Sequence, residues 1–318
     1  MSLPKTTKGW VVMGKGNFGN LKFDTQQPLP ELSDNEVLVK FHAASLNFRD
    51  IMKAQGTYPF DVKENIIPGS DGVREIVAIG KKATRFQKGS KVLGLAVGGT
   101  VDGTLREYGV FNENGVVEMP RNLNYLEAAR LSCSALTAWN ALYGLKAVLP
   151  GDWILAQGTG GVSISALQFA KAAGARVVAT TFSAAKAQRL RDLGADHVIN
   201  YKANPNWGEE AKRLIEGGVD HILEFGGAHT IAQSLSAVKI NGIITIIGWI
   251  GGPGETGPSF GQTLSSMATI RGIVVRAIEA SDFKPVLDEQ LFKLEGLKDA
   301  YRHLVDQKYF NKVAIEIG

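Results

Sequence analysis

A glycine-rich segment between an apolar strand pattern and a helical pattern is the part of the sequence that most directly indicates chemistry. It reads Trp153-Ile-Leu-Ala-Gln-Gly-Thr-Gly-Gly-Val-Ser163, and helical spacing continues to Ala173. A strand that enters a helix through such a turn is typical of sites that bind the pyrophosphate of a dinucleotide, because free N–H groups at the helix start hold negative charge. The residues predicted to contact the cofactor here are Gly158, Thr159, Gly160, Gly161, Val162 and Ser163.

This segment departs from the usual dinucleotide fingerprint at one position. Gly158 would permit the tight turn and Gly160 the close approach of backbone to phosphate, but Ser163 stands where a third glycine is usual. A serine is small enough for the helix to pack closely on the strand. The alternative is a glycine-rich turn in an α/β protein that binds no ligand.

The end of the next predicted strand indicates which dinucleotide is bound. Proteins that prefer NAD carry a carboxylate about 20 residues after the turn, where it accepts from the ribose 2′-hydroxyl. The stretch from Val177 to Ser183 contains no acid, and Lys186 follows it. The hydroxyls of Thr180 and Ser183 and the cation of Lys186 suit a 2′-phosphate, so the predicted cofactor is NADPH. The alternative is that Lys186 and Arg189 are ordinary cations of a helix surface.

Strand and helix patterns alternate around this motif from residue 123 to residue 275, which predicts βαβ units and a parallel sheet covered on both faces. Residues 1–122 contain short strands broken by turn residues, such as the alternating pattern from Glu36 to His42. From residue 276 the chain carries a helical pattern, Leu294 to Asp306, and a final strand, Lys312 to Ile317. The predicted fold class is α/β with a β-rich domain before the nucleotide-binding domain.

Several short motifs are distributed over the whole chain. They are Ser45-Leu-Asn-Phe-Arg-Asp50, Tyr58-Pro59, Pro68-Gly-Ser-Asp-Gly72, Leu136-Thr-Ala-Trp139, Leu193-Gly-Ala-Asp-His-Val-Ile-Asn-Tyr201 and Phe310-Asn-Lys-Val313. With the order of domains, they resemble the medium-chain dehydrogenase/reductase superfamily, in its zinc-independent quinone oxidoreductase branch. The resemblance implies a GroES-like catalytic domain (1–122), a doubly wound Rossmann domain that binds NADP (123–275) and a return to the catalytic domain (276–318).

The resemblance also implies that no catalytic zinc is bound. Zinc-using members carry a cysteine and a Gly-His-Glu at positions where this chain has Asn47 and Gly69-Ser70-Asp71. Zinc requires at least three nitrogen, sulfur or carboxylate ligands, and the amide of Asn47 and the hydroxyl of Ser70 are poor substitutes. We therefore expect no metal. The connections at Leu95–Thr100 and Val275–Arg276 are shorter than the resemblance leads us to expect.

Three residues of the first domain are candidates for catalysis. By resemblance, Asn47 faces the nicotinamide ribose or the substrate, and its amide can donate a hydrogen bond to charge that develops on the acceptor. Tyr58 and Asp50 are candidates for the proton donor or for a residue that orients it. The alternatives are structural: Asn47 and Asp50 would cap a loop, and Tyr58 would pack in a turn.

The same resemblance implies further contacts to the cofactor. Thr137 would contact it from the helix before the nucleotide domain, and Tyr201 would lie on the adenine side. Residues after the fourth and fifth strands border the crevice in which doubly wound sheets bind ligands. The remaining predicted cofactor contacts are Phe225, Gly226, Gly248, Trp249 and Asn311. For Trp249 the alternative is burial in the core.

Bulk properties narrow the classes of partner. The chain has 318 residues, a formal charge of +4 and one cysteine, so it has no internal disulfide, and its basic residues do not cluster as a nucleic-acid footprint requires. No apolar stretch is long enough to cross a bilayer, and the N-terminus lacks the apolar core of a secretory signal. We expect a cytoplasmic protein that binds a small-molecule substrate, and neither nucleic acid nor a membrane.

The function that these features favour is transfer of hydride from NADPH to a quinone or to the activated C=C bond of an α,β-unsaturated carbonyl compound. Two enzymatic alternatives are reduction of a ketone or aldehyde and enoyl reduction in biosynthesis, and a third possibility is a non-catalytic NADPH-binding protein. The apolar stretch from Ser266 to Val275 resembles the sixth strand of the family's nucleotide domain. An edge strand of this kind needs covering, so we expect a homodimer.

Overall fold

The computed structural model describes residues 3–95, 99–248, 250, 252, 257–273 and 288–318. The chain forms two compact units, Met1–Cys133 with Glu279–Gly318, and Ser134–Ile278, and each is described by itself below as the first and the second unit. Trp249, the connection at Val275–Arg276 and the middle of the connection at Leu95–Thr100 lie outside the described residues. The predicted domain limits at residues 122 and 275 stay predictions.

The first unit begins as a β-rich domain. Its elements are β1 (Thr6–Val12), β2 (Leu21–Pro28), β3 (Glu36–Ser45), α1 (Phe48–Gln55), β4 (Asp71–Ile79), β5 (Lys91–Leu95), β6 (Tyr108–Asn112), β7 (Val117–Glu118) and α2 (Tyr125–Ala128). Val37, Val39 and Phe41 alternate along β3 and are fully buried, as the alternating pattern predicted. Helix α1 ends at Gly56, whose left-handed backbone (φ 71°) closes the last turn.

The second unit alternates strands with helices. Its elements are α3 (Leu136–Tyr143), β8 (Trp153–Gln157), α4 (Gly161–Ala172), β9 (Arg176–Thr180), α5 (Ala184–Asp192), β10 (His197–Ile199), α6 (Trp207–Leu214), β11 (Val219–Glu224), α7 (Ile231–Ala237), β12 (Val238–Ile246), α8 (Phe260–Ser266) and β13 (Thr269–Gly272). The strands pair in parallel in the order β10-β9-β8-β11-β12-β13. This is the doubly wound order, and it places the reversal between β8 and β11.

The chain then returns to the first unit with β14 (Leu291–Lys293), α9 (Leu297–Val305) and β15 (Ala314–Glu316). The main sheet of that unit runs β14-β15-β3-β4-β5-β7, and β6 also pairs with β3. Strand β15 is antiparallel to β3, with Ala314 opposite Ser45. The next strand, β4, places Asp71 opposite Ser45 on the other side. The C-terminal segment thus completes the sheet at the end of β3 that leads into α1.

Two details differ from what local sequence pattern suggests. Apolar residues at helical spacing run from Asn124 to Tyr143, but they do not form one helix: a π-helical turn at Leu131–Ala135 lies between α2 and α3. The predicted sixth strand is shorter than the apolar stretch from Ser266, since Ser266 still belongs to α8 and β13 begins at Thr269. The expected α/β class, with a β-rich domain and a doubly wound parallel sheet, is confirmed. No helix among the described residues is long and apolar enough to span a membrane.

Candidate functional site

The glycine-rich turn lies between β8 and α4, as predicted. Gly158 has a left-handed backbone (φ 73°), and, apart from Gly158 and its two chain neighbours, no heavy atom of the described residues lies within 4 Å of the position that a Cβ would take there. Gly160 is the N-cap of α4, and no side chain caps this helix end. The first backbone N–H groups of this 12-residue helix are therefore left uncapped, which is the arrangement that can hold a phosphate.

Ser163 does more than replace a glycine. Its hydroxyl donates to the carbonyl oxygen of Gln157 at 2.6 Å and is buried. The bond ties the first turn of α4 to the last residue of β8. A small polar side chain therefore holds the helix close to the strand where the usual fingerprint relies on the absence of a side chain.

A buried network fixes the strand ends beside this turn. Glu224, the last residue of β11, is fully buried, and its carboxylate accepts from Gln157 Nε2 at 2.7 Å and from the backbone of Gly226 at 2.8 Å. The hydroxyls of Thr230 and Ser234 also donate to it. Gln157 Oε1 in turn accepts from the backbone of Phe225 at 2.9 Å. The network joins the ends of β8 and β11 at the point where the strand order reverses.

The residues predicted to bind a 2′-phosphate lie where β9 ends. The Thr180 hydroxyl accepts from the backbone of Gly158 at 3.2 Å, and the Ser183 hydroxyl accepts from the backbone of Lys186 at 3.4 Å as the N-cap of α5. Because both oxygens act as acceptors here, each hydroxyl keeps its proton as a donor. Two O–H groups therefore lie at the end of β9, together with the first turn of α5, which carries Lys186.

The sequence analysis missed one cation near this position. Tyr201 follows β10 and packs edge-on against Phe182, with 5.9 Å between ring centroids. The ammonium of Lys202 lies 4.3 Å from the centroid of the same Phe182 ring. The signal that could have found Lys202 is its place directly after Tyr201, where a third parallel strand reaches the same sheet edge as the second.

The other predicted cofactor contacts of the second unit differ in exposure. Thr137 is buried in α3. Phe225, Gly226 and Gly248 are half-buried and follow β11 and β12, at the edge of the sheet that carries the glycine-rich turn. Trp249 lies outside the described residues.

A buried polar cluster of the first unit contains Asn47. The carboxylate oxygen Oδ2 of Asp71 accepts from Lys312 Nζ at 2.8 Å, from Ser45 Oγ at 2.9 Å and from Asn47 Nδ2 at 3.0 Å. Lys312 Nζ also donates to Asn47 Oδ1 at 2.6 Å and to the carbonyl oxygen of Leu46 at 2.9 Å. We call Ser45, Asn47, Asp71 and Lys312 the Asp71 cluster.

The Asp71 cluster is an ion pair removed from water. Asp71 and Ser45 are fully buried and Lys312 is 4% exposed, whereas Asn47 is half-buried. The opposite charges of Asp71 and Lys312 compensate each other, which a buried carboxylate requires. Asp71 and Lys312 lie within the quoted motifs, but the sequence indicates no role for them, because their separation of 241 residues hides the contact.

Asp50 lies close to Asn47 but has another task. It is fully buried, and its Oδ2 accepts from the backbone N–H of Asn47 at 2.8 Å, while its Oδ1 accepts from Ser70 Oγ at 2.7 Å. Burial raises the pKa of Asp50, although Lys53 and the hydrogen bond from Ser70 act in the opposite direction. With both oxygens engaged beneath the surface, Asp50 holds the start of α1, and these contacts favour the capping alternative.

Tyr58 lines a cavity of about 840 Å³ in the first unit. Its ring packs edge-on against Phe60, with 5.4 Å between centroids, and the ammonium of Lys53 lies 5.5 Å from its centroid. Lys53 is buried, and desolvation lowers its pKa, although Asp50 raises it. A phenol and a lysine therefore border the same cavity, and only the phenol had been singled out from the sequence.

Asn311 is buried and adopts a left-handed backbone (φ 72°) directly before Lys312. Asparagine tolerates this conformation better than most residues. The position suits a sharp bend of the chain that delivers Lys312 into the Asp71 cluster. This contribution through the backbone stands beside the predicted cofactor contact.

Two family models match parts of the chain. Residues 33–121 match the alcohol dehydrogenase GroES-like domain, and residues 161–291 match a family described as zinc-binding dehydrogenase. Among the described residues, no group of three or more His, Cys, Asp or Glu side chains could hold a metal ion.

Similar proteins cover nearly the whole chain. A zinc-type alcohol dehydrogenase-like protein of Schizosaccharomyces pombe is 39% identical over 94% of this chain and 96% of its own length. Human quinone oxidoreductase is 26% identical over 90% of this chain and 89% of its own. A crystal structure of a protein described as an alcohol dehydrogenase from Sinorhizobium meliloti has a TM-score of 0.89 and 32% identity, and the match covers 99% of this chain and 100% of that one.

The capping role of Asp50 predicts that Asp50→Asn keeps kcat within about threefold. Because the pKa of Asp50 is raised in the folded state, its ionisation lowers stability as the pH rises above the unfolded value of 3.8. Asparagine does not ionise, so the free energy of unfolding of the variant minus that of the wild type should increase from about pH 4 to pH 7. Denaturant titrations at several pH values measure this difference.

The control is Asp50→Ala, which also removes the acceptor for the Asn47 N–H and should lower the melting temperature. A loss of kcat of about 100-fold in a folded Asp50→Asn protein would contradict the capping role and assign Asp50 to proton transfer.

Proposed function

Because the chain belongs to the medium-chain dehydrogenase/reductase superfamily, we propose that it is a zinc-independent oxidoreductase that transfers hydride from NADPH to a quinone or to the activated C=C bond of an α,β-unsaturated carbonyl compound. Oxidoreductase activity with a nicotinamide cofactor is common to this superfamily. The observation that carries the finer proposal is the Asp71 cluster, in which the amide of Asn47, at the position of a cysteine in zinc-using members, accepts from the buried Lys312.

The residues of the Asp71 cluster do not fit a zinc ion. Asp71 Oδ2 already accepts from three donors, and Asn47 Oδ1 accepts from the ammonium of Lys312. Ser70 donates to Asp50 instead of facing Asp71. A metal that took these oxygens would be repelled by the positive charge of Lys312, since both cations would need the same acceptors. The proposed reaction therefore involves no metal ion.

The preference for NADPH is supported by the groups that follow β9 and β10. Thr180 and Ser183 each keep a hydroxyl proton for a phosphate oxygen, and Lys186 and Lys202 supply positive charge. No acid occurs between Val177 and Lys186 to repel a 2′-phosphate. The glycine-rich turn, with the predicted contacts from Gly158 to Ser163, would hold the pyrophosphate.

The chain's own residues are proposed to donate a hydrogen bond and a proton. Bound NADPH supplies the hydride. The Asn47 amide donates a hydrogen bond to the oxygen on which negative charge develops, and the reduced product takes its proton from the Tyr58 hydroxyl or from water. We propose Asn47 as the hydrogen-bond donor, Tyr58 as the candidate proton donor and Asp50 as the residue that orients the start of α1. Thr137, Tyr201, Phe225, Gly226, Gly248, Trp249 and Asn311 remain proposed cofactor contacts.

A different acceptor class is the main alternative. Relatives named alcohol dehydrogenase and relatives named quinone oxidoreductase both match most of this chain. Reduction of a ketone or aldehyde would use the same cofactor geometry and is therefore the alternative. The chain has one cysteine, the buried Cys133, and this cysteine usage fits a reducing, cytoplasmic location, which is part of the proposal.

The enzymatic proposal is tested by following NADPH absorbance with a quinone, an enone and a simple ketone in parallel. We expect kcat/KM for NADPH oxidation to be at least about tenfold higher with the quinone or the enone than with the ketone. The reason is that an amide N–H stabilises an enolate-like charge but polarises a ketone less than a metal does. Faster reduction of the ketone would favour the alcohol dehydrogenase alternative. Tight NADPH binding without oxidation by any acceptor would favour a non-catalytic protein.

The choice of cofactor is tested with Lys186→Ala. Loss of a charge-assisted hydrogen bond to phosphate should raise the Kd for NADPH by about tenfold or more and leave the Kd for NADH within about twofold. Fluorescence titration measures both constants. The matched control is Arg191→Ala in the last turn of the same helix, which should change neither constant. An equal loss for both cofactors would show that Lys186 does not contact the 2′-phosphate.

We also propose a homodimer formed through the second unit. Among the described strands, β13 is at the edge of its sheet, and α8, which precedes it in the chain, exposes Phe260 (86%) and Leu264 (69%), one helical turn apart. Exposed apolar side chains and strand edges are typical of a contact surface. Light scattering should give twice the chain mass of 34.2 kDa, and Leu264→Glu should shift the protein toward monomer, whereas a monomeric wild type would contradict the proposal.

A further inference from the structure

We propose that Lys312 is a positioning residue: its buried ammonium fixes the side-chain amide of Asn47 so that one N–H remains as a donor to the substrate. This inference rests on the proposed function, since it names how Asn47 is prepared for its task. It assigns a role to a residue that does not itself touch the substrate.

The hydrogen bonds of Lys312 show why it acts indirectly. An ammonium carries three N–H groups. Those of Lys312 are directed to the Leu46 carbonyl at 2.9 Å, to Asn47 Oδ1 at 2.6 Å and to Asp71 Oδ2 at 2.8 Å. All three are thus engaged within the first unit. With a side chain only 4% exposed, Lys312 has no donor left for a substrate.

The same contacts determine the orientation of the Asn47 amide. Its oxygen faces the ammonium of Lys312, and one N–H of Nδ2 donates to Asp71 Oδ2 at 3.0 Å. A flipped amide would turn its NH₂ group toward Lys312 and its oxygen toward the Asp71 carboxylate. Both contacts would then be repulsive, so the ion pair selects one of the two orientations.

In the selected orientation, one N–H of Asn47 has no acceptor among the residues that the structure describes. Asn47 is also the one member of the Asp71 cluster that is not buried, because Ser45, Asp71 and Lys312 are each less than 5% exposed. The cluster therefore presents a single donor of fixed direction at its surface. Because the ammonium withdraws electron density through Oδ1, it strengthens the remaining N–H as a donor, as hydrogen-bond chains do.

Charge balance separates this arrangement from an ordinary ion pair. Asp71 neutralises Lys312, so a buried charge is tolerated, yet the amide that connects them remains polarised from both sides. A donor prepared in this way needs no reorganisation when negative charge develops on the acceptor, which is the basis of electrostatic stabilisation of a transition state.

The test compares three variants of the full chain. Asn47→Ala removes the donor. The double variant Asp71→Asn with Lys312→Met replaces the ion pair by neutral groups of similar size, so that no unpaired charge stays buried. The triple variant combines all three changes. We expect kcat for the NADPH-dependent reaction to fall at least about tenfold in the first two variants with KM changed less, and the triple variant to be no slower than Asn47→Ala.

Two controls distinguish positioning from support of the fold. Lys308→Met removes an exposed lysine that pairs with Asp306, and it should leave kcat and the melting temperature unchanged. Lys312→Arg retains the charge and should recover part of the kcat lost in the double variant. If the double variant keeps kcat within about twofold, or if its effect multiplies with that of Asn47→Ala, Lys312 does not act through Asn47 and the inference is overturned.

A measurement without turnover separates this inference from the proposed function. The side-chain amide resonance of Asn47 in the ¹⁵N-labelled protein can be assigned by its absence in Asn47→Ala. We expect two well-separated amide protons in the wild type, and movement toward the values of an unconstrained amide in the double variant. An unchanged resonance would overturn the inference even in an active enzyme. If the wild type oxidises no NADPH but the resonance moves, the proposed function fails and the fixed orientation of Asn47 stands.

Discussion

The buried ion pair between Asp71 and Lys312 is the interaction on which the first unit depends at its functional edge. Asp71 begins β4 and Lys312 precedes β15, and both strands pair with the end of β3 at Ser45. The C-terminal segment is therefore joined to the β-rich domain by backbone pairing and by charge at the same place. Loss of one partner of such a pair costs about 3–5 kcal/mol, since the other charge stays buried. A substitution of Asp71 or Lys312 is therefore tolerated only when both residues are replaced together.

In the second unit, a single buried carboxylate holds the strand ends. Glu224 is fully buried at the end of β11, and it is satisfied by Gln157, two hydroxyls and backbone N–H groups. These donors lie at the ends of the two strands between which the strand order reverses. Each unit thus uses a buried acid to fix backbone near its proposed ligand contacts.

The sequence predicted the parts of the site that follow from local pattern. The turn at Gly158 was predictable because a strand, glycines and a helix occur in one short segment, and the parallel sheet followed from the alternation of strands and helices. The break between α2 and α3 was not predictable, because a π-helical turn keeps the same apolar composition as a continuous helix. The contact between Asp71 and Lys312 was invisible for another reason: it joins segments 241 residues apart, and no local pattern encodes such a contact.

If Asn47 donates to the substrate as proposed, the position of Lys312 behind it favours one class of acceptor. An ammonium exposed in the site would form ion pairs with carboxylates and inorganic anions from solution and would retain an anionic product. Behind the amide, its charge still acts on the N–H of Asn47, but the surface of the Asp71 cluster offers a neutral donor. The hydrogen bond from a neutral donor becomes stronger as negative charge develops on a delocalised oxygen, and it weakens again when a proton neutralises that oxygen. This behaviour suits quinones and enones, because their reduction passes through such an oxygen. It suits simple ketones less well, because a full positive charge stabilises their alkoxide better than a neutral donor does.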